Sequence, residues 1–201
     1  GGYDLAIGSS SNMADYIAKH APDYPKIKFA IIDTKVDLPN VESISFAQNQ
    51  GSFLAGAAAA MFTQKTEIKG VNPEHIIGWV GGMDIPVLHD FYVGYEQGAK
   101  YIDPDISILQ SFAGSWSDPL KGKELTLAQY EQGADIVMNV ASGTGTGVLE
   151  AAKEAGEYAI GVDLNQDADQ PGSVLTSMVK RVDNACYLII QAAADGSFRG
   201  G

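Results

Sequence analysis

Short runs of Val, Ile and Ala alternate along the chain with longer stretches whose apolar residues recur at helical spacing. This alternation is typical of parallel β-strands that are covered by α-helices. The pattern predicts strands at about residues 3–7, 28–32, 43–46, 75–80, 106–111, 136–140, 159–162 and 174–177. It predicts helices at about residues 12–20, 51–63, 89–101, 119–132, 148–155 and 182–195. The chain is therefore predicted to have an α/β fold with parallel sheets.

The alternation breaks at residues 66–74, where Gly70 and Pro73 indicate a linker. A second connection is expected near residues 170–180. We therefore expect two α/β lobes: residues 1–70 as a partial first lobe, residues 71–180 as a second lobe, and residues 181–201 as a helix that crosses back to the first.

The composition narrows the classes of partner. The 201 residues include 13 Lys or Arg and 25 Asp or Glu, a formal net charge of −12, and no basic run. Nucleic acid is not an expected partner, because phosphate backbones are bound through clustered positive charge. No apolar stretch approaches the roughly 20 residues that a membrane-spanning helix needs. The single cysteine, Cys186, leaves no internal disulfide and no cysteine-based zinc site.

The loops that follow the strands are the places to look for a ligand, because ligands of parallel α/β sheets collect at the carboxyl ends of the strands. After the first strand, Ser11 and Asn12 bring a hydroxyl and an amide to a helix N-terminus, where either helix capping by Ser10, Ser11 or Asn12 or contact with a polar ligand is expected. Asp84 follows two glycines after the strand at 75–80, and it either caps a tight turn or accepts a hydrogen bond from a ligand.

Two further loops contain a glycine cluster and a lone carboxylate. Gly143, Gly145 and Gly147 lie between a buried strand and a helix, so their backbone N–H groups can face an anion or a hydroxyl-rich ligand. The spacing matches neither a phosphate-binding P-loop nor a dinucleotide-binding loop. Asp163 lies at the exit of a buried strand, where it either caps the next turn or binds a vicinal diol with both carboxylate oxygens.

No catalytic motif accompanies these loops. The chain has no Gly-x-Ser-x-Gly sequence, and its three histidines are far apart without metal-ligand spacing. The sequence thus predicts a binding protein rather than an enzyme, with no cofactor and no metal.

Six motifs follow one another along the chain: Gly81-Gly82-Met83-Asp84-Ile85-Pro86, Gly114-Ser115-Trp116, Gln132-Gly133-Ala134-Asp135, Gly143-Thr144-Gly145, Gly161-Val162-Asp163 and Lys180-Arg181-Val182-Asp183. Their order resembles the basic membrane protein family, also called purine nucleoside receptor A-like. The resemblance implies a type I periplasmic-binding-protein fold of two three-layer lobes that clamp a ligand. It also implies a lipid-anchored protein, extracellular or periplasmic, that delivers adenosine, guanosine or inosine to an ABC permease.

The resemblance also implies roles for individual residues. Asp163 would bind the ribose hydroxyls, Lys180 would be a second ribose partner, and Gly143 would lie against the ligand. Met138 stands where family members commonly have an aromatic residue that stacks on the purine, and its polarizable sulfur can also pack on a ring.

The chain has no counterpart of the Asp-Asp-x-x-Phe-Asn segment near the start of family members. We therefore expect it to lack the first β-α-β portion of lobe one, the lipid-attachment cysteine and the strands after Gly201. The alternative function is a ligand-sensing regulatory or signalling protein of the same fold, because a fold does not determine a function.

Overall fold

The structure is a computed structural model that describes residues 2–201. Its strands are β1 (Leu5–Gly8), β2 (Lys28–Ile32), β3 (Val41–Ile44), β4 (Ile76–Gly81), β5 (Ser107–Phe112), β6 (Ala134–Val140), β7 (Tyr158–Asp163) and β8 (Val174–Val179). Its α-helices are α1 (Ala14–His20), α2 (Gln48–Thr63), α3 (Pro86–Ile102), α4 (Pro119–Glu131), α5 (Gly145–Ala155) and α6 (Val182–Asp195). The predicted order of strands and helices is confirmed.

The strands form two parallel sheets. One has the order β1-β2-β3 and the other the order β5-β4-β6-β7-β8. Every residue of β6 is buried, because β6 is the middle strand of the larger sheet and lies within its core. The predicted α/β class with parallel sheets is therefore confirmed.

The chain divides into two compact units. The first unit runs from the amino terminus through Phe46 and includes Arg181–Gly201, and the second unit is Ala47–Lys180. The helix α2 belongs to the second unit, so the division falls after Phe46 and not at the expected 70/71 boundary.

Close packing of α2 against α3 explains that placement. A Cβ atom at Gly56 would overlap the backbone carbonyl of Tyr95, and one at Gly98 would overlap the carbonyl of Phe53. The two helix backbones thus approach each other where neither carries a side chain.

The start of α1 differs from the prediction. Ser11–Met13 forms a short 3₁₀ turn before the helix, and neither Ser10 nor Met13, at the two N-cap positions, makes a side-chain capping bond. Capping of this helix by Ser10, Ser11 or Asn12 is therefore wrong. Within residues 2–201, no helix combines the length and the apolar character that crossing a bilayer requires.

Candidate functional site

Four of the expected site positions lie along one edge of the larger sheet. Asp84 follows β4, Gly143 follows β6, Asp163 ends β7 and Lys180 follows β8. These four strands are consecutive neighbours and all parallel, so their carboxyl ends lie side by side. We call this the carboxyl edge of the second unit.

Asp163 has an unusual backbone conformation. Its φ is 66°, in the left-handed region, and the Leu164 N–H donates to the Val162 carbonyl across it at 2.8 Å. A three-residue turn with positive φ at its central residue is strained, and such strain concentrates at functional sites. The Asp163 carbonyl accepts a hydrogen bond from the Lys180 N–H at 3.0 Å, which holds the turn against the end of β8.

Lys180 is a nearly buried cation. Only 8% of the residue is exposed, and its Nζ lies 5.5 Å from the centroid of the Phe91 ring. A lysine is rarely buried to this degree unless its charge has a partner, and the face of an aromatic ring is one such partner. Phe91 itself is in the core, so it offers the ammonium group a fixed surface.

The glycine loop divides into one open and two packed positions. A Cβ atom at Gly145 would overlap Asn139 Oδ1, and one at Gly147 would overlap the Pro119 carbonyl, so both glycines are required by packing. Gly143 is exposed, and a Cβ atom there would lie 3.1 Å from the Trp116 carbonyl. Gly143 is therefore the position in this loop whose backbone is open to a ligand.

The residue before Gly143 is also in the left-handed region: Ser142 has a φ of 52°. The chain continues through a 3₁₀ turn, Ser142–Thr144, into α5, so the loop lies at a helix N-terminus as the sequence predicted. Backbone N–H groups at such a position can donate to an anion or a hydroxyl oxygen.

Two amide side chains behind this edge were missed by the sequence analysis. Asn139 is only 1% exposed, and its Oδ1 accepts from the Ala141 N–H at 3.0 Å. Its Nδ2 donates to Gln166 Oε1 at 3.1 Å. An asparagine inside the otherwise apolar segment 136–140 was the available signal, because a buried polar group is more informative than a buried apolar one.

Asp84 is exposed and paired with a histidine. Its Oδ1 lies 2.6 Å from His89 Nε2. The helix α3 begins at Pro86 with Ile85 at its N-cap and no side-chain capping bond, so Asp84 does not cap it. Asp84 is accessible to a ligand at this edge.

Met138 lies in the hydrophobic core, with no exposed surface. It shares that core with Trp79 and Ile160 because it points inward from the central strand β6. A purine ring could reach its sulfur only after the core opened, so Met138 is not among the ligand contacts that we propose.

Trp116 contacts two of the loops at the carboxyl edge. Its carbonyl accepts from the Thr144 N–H at 3.1 Å, and its half-buried ring lies where a Cβ atom at Gly82 would be. It thus packs between the loops that follow β4 and β6.

Ser11 and Asn12 belong to the first unit. They follow β1, with Ser11 half-buried and Asn12 exposed. Within residues 2–201, no group of three or more His, Cys, Asp or Glu side chains is placed to hold a metal ion.

Comparison with known proteins identifies the family. A profile described as ABC transporter substrate-binding protein PnrA-like (Bmp) matches residues 1–201. The chain is 36% identical over 218 residues to the ABC transporter nucleoside-binding protein BmpA of Lactococcus lactis subsp. cremoris, covering 100% of this chain and 60% of that protein. It is 35% identical over 193 residues to basic membrane protein D of Borreliella burgdorferi, covering 93% of this chain and 54% of that protein.

Two solved structures show the same fold. An ABC transporter system solute-binding protein from Aeropyrum pernix K1 has a TM-score of 0.93 and 33% identity, covering 99% of this chain and 56% of that one. A transcriptional activator of the comK gene from Bacillus halodurans has a TM-score of 0.84 and 24% identity, covering 100% of this chain and 66% of that one. At this identity the similarity shows the fold alone.

The chain thus spans about three fifths of the length of the relatives that it matches. The type I periplasmic-binding-protein fold implied by the sequence motifs is confirmed. The match over residues 1–201 places the chain in the PnrA-like family of ABC transporter substrate-binding proteins, also called basic membrane proteins.

Proposed function

We propose that this chain is part of a nucleoside-binding protein that supplies purine nucleosides to an ABC permease. The observation that carries the proposal is the placement of Asp163 and Lys180 at the ends of neighbouring strands, joined by a backbone hydrogen bond. A carboxylate that accepts two hydrogen bonds and an ammonium that donates them are suited to the two vicinal hydroxyls of a ribose.

The neighbouring groups extend this arrangement. Gly143 offers exposed backbone beside α5, and Asp84 offers an exposed carboxylate after β4. In our proposal Gly143 lies against the ligand, and Asp84 accepts from a ligand N–H or O–H. Gly145 supports the loop from inside.

The proposed ligand class rests on the chemistry of the site and on the name of a relative. The relative from Lactococcus lactis is named a nucleoside-binding protein. We take adenosine, guanosine and inosine as the candidates, bound and released unchanged. We propose that the full-length protein acts at the extracellular face of the membrane or in the periplasm and is held there by a lipid anchor.

A regulatory role is supported by similarity of fold alone. The comK activator shares the fold at 24% identity, whereas the family profile and the 36% identical relative are both transport proteins by name. Transport is therefore the function we propose.

The test is calorimetric titration of the full-length gene product with adenosine, guanosine and inosine, with uridine and free ribose as controls. The expected result is saturable binding of a purine nucleoside, and chromatography of the mixture should recover the nucleoside intact. Absence of binding to all three, or release of free base in proportion to the protein added, would refute the proposal.

A further inference from the structure

Gln166 joins three strand ends of the second unit through its hydrogen bonds. Its Oε1 accepts from the Val162 N–H at 2.9 Å and from Asn139 Nδ2 at 3.1 Å. Its backbone N–H donates to Ser177 Oγ at 3.0 Å. Val162 is in β7, Asn139 in β6 and Ser177 in β8, so one residue in the loop after β7 is bonded to all three strands.

The bonds end next to two strained residues. Val162 directly precedes Asp163, whose φ is 66°, and Asn139 bonds the N–H of Ala141, which directly precedes Ser142 with a φ of 52°. A left-handed conformation at residues other than glycine persists only where surrounding interactions fix it. The bonds of Gln166 and Asn139 are interactions of that kind.

The hydrogen bonds of Gln166 and Asn139 also bear on the glycine loop. A Cβ atom at Gly145 would overlap Asn139 Oδ1, so the start of α5 is seated directly on the amide that Gln166 holds. Ser177 lies three residues before Lys180 on the same strand end. The bonds of Gln166 therefore touch the backbone next to Asp163, the segment that carries Gly143, and the strand that leads to Lys180.

We infer that Gln166 is a positioning residue of the ligand site, which holds the Asp163 carboxylate and the Gly143 loop in register with each other. The inference rests on the proposed function. Gln166 does not itself contact the ligand; it acts through Val162 and Asn139. Residues that orient metal ligands from behind typically change metal affinity or activity by about 10–100-fold when they are removed, and we expect an effect of that order for a residue that orients a ligand-binding carboxylate.

Substitution at residue 166 tests this role. Gln166→Ala leaves the Val162 N–H and Asn139 Nδ2 without their acceptor. Gln166→Glu keeps an acceptor for both, but it loses the Nε2 group that donates to Asp169 Oδ2 at 3.2 Å and brings a second carboxylate beside it. Gln132→Ala is the matched control, because Gln132 is exposed and its Nε2 donates to the Ala128 carbonyl in the preceding turn.

The readout is the affinity of the full-length gene product for a purine nucleoside and for its 2′,3′-dideoxy analogue, measured by calorimetry below the melting temperature of each variant. A positioned carboxylate predicts that Gln166→Ala weakens nucleoside binding by on the order of 10-fold. It should weaken dideoxynucleoside binding less, because only the displacement of the Gly143 loop affects both ligands. Gln166→Glu should recover part of the loss, and Gln132→Ala should bind both ligands as the unmodified protein does.

Equal weakening for both ligands, or no weakening, would overturn the inference while leaving the proposed function intact. If the unmodified protein binds no purine nucleoside, the proposed function is refuted instead. Hydrogen exchange then decides the positioning role without a ligand. Faster exchange in Gln166→Ala at the amides of Ala141, Gly143 and Leu164 supports it, and unchanged exchange there overturns it.

Discussion

The backbone N–H of Lys180 donates to the carbonyl oxygen of Asp163 at 3.0 Å. This bond joins the residue after β8 to the last residue of β7, so two opposite charges are fixed at adjacent positions on one sheet edge. The bond uses backbone atoms only. Substitution of either side chain therefore removes a charge without removing the link.

Substitutions at Asp163 separate the carboxylate from the backbone turn. Asparagine tolerates the left-handed conformation well, whereas alanine does not. If Asp163 binds both ribose hydroxyls, Asp163→Asn and Asp163→Ala should each weaken nucleoside binding by on the order of 100-fold, because each charge-assisted bond contributes roughly 1.5–3 kcal/mol. Calorimetric titration of the full-length gene product provides the measurement.

The matching ligand is the 2′,3′-dideoxynucleoside, which lacks both hydroxyls. It should bind the unmodified protein weakly, and neither substitution should weaken it much further. Lys180→Ala should also reduce the affinity for the nucleoside. The ribose assignment fails if Asp163→Asn binds the nucleoside as tightly as the unmodified protein does.

The glycines of the loop should differ in what they support. Gly147→Ala places a Cβ atom on the Pro119 carbonyl, and overpacking of this kind costs about 1–3 kcal/mol in stability. Gly143→Ala places a Cβ atom 3.1 Å from the Trp116 carbonyl and 3.8 Å from the Ser117 Cα, so it should change the melting temperature less while weakening ligand binding. Thermal unfolding of both variants checks the first expectation and calorimetry the second. A lower melting temperature for Gly143→Ala than for Gly147→Ala would contradict this division.

Much of the fold followed from local pattern. The bounds of β2 and α6 match their predicted ranges, because both are continuous apolar or amphipathic segments between clear breaks. The assignment of α2 to the second unit could not be read in this way. It depends on the contact of Gly56 and Gly98 with the backbone of the opposite helix, which only the tertiary structure shows.

The sequence alone indicated Asp163 as a candidate, because a carboxylate at the exit of a buried strand can be recognised from the local pattern. The candidate site was not predictable where several residues share one hydrogen-bond network. Gln166 lies in an ordinary polar loop, and its role depends on Asn139, which is 27 residues away in sequence and on the neighbouring strand. The three alternating glycines looked equivalent, yet two of them serve packing.

The helix α6 exposes an apolar surface that should promote association. Ile189 is its buried residue, whereas Tyr187, Leu188 and Ile190 are each more than half exposed. Contiguous exposed apolar residues of this kind mark association surfaces. The 201-residue chain should therefore self-associate with rising concentration, and Ile190→Lys should shift the sedimentation profile towards the monomer.

Gln191→Lys is the charge-matched control for that experiment. It adds the same charge at an exposed polar position next to Ile190 on α6. If both variants lower association equally, charge repulsion explains the effect and the apolar surface does not.

A pair of carboxylates at the opposite end of the larger sheet should make stability depend on pH. Burial, and then the nearby Asp135, raise the pKa of Glu157 to about 7. The Oε2 atom of Glu157 is buried without a hydrogen-bond partner among the described residues. Burial also raises the pKa of Asp135, against the effect of its bonds from Thr63 and the Asn72 N–H.

The sign follows from proton binding. Between about pH 4.5 and 7, the folded chain holds the Glu157 proton while the unfolded chain has released it, so stability falls as the pH rises through this range. Glu157→Gln abolishes this fall of stability with rising pH. The variant should match the unmodified chain near pH 4.5 and be more stable by about 1–2 kcal/mol above pH 7, a value reduced for the partial exposure of the residue.

Thermal unfolding of the 201-residue chain and its variants from pH 4.5 to 8 measures this difference. Glu131→Gln, at the exposed end of α4, is the control, and its difference from the unmodified chain should not vary across the range. The gain from Glu157→Gln must appear only as the pH rises, because it comes from a proton that the unfolded chain loses first. A gain of the same size at every pH would mean that the amide improves packing or hydrogen bonding, and that Glu157 does not titrate near neutrality.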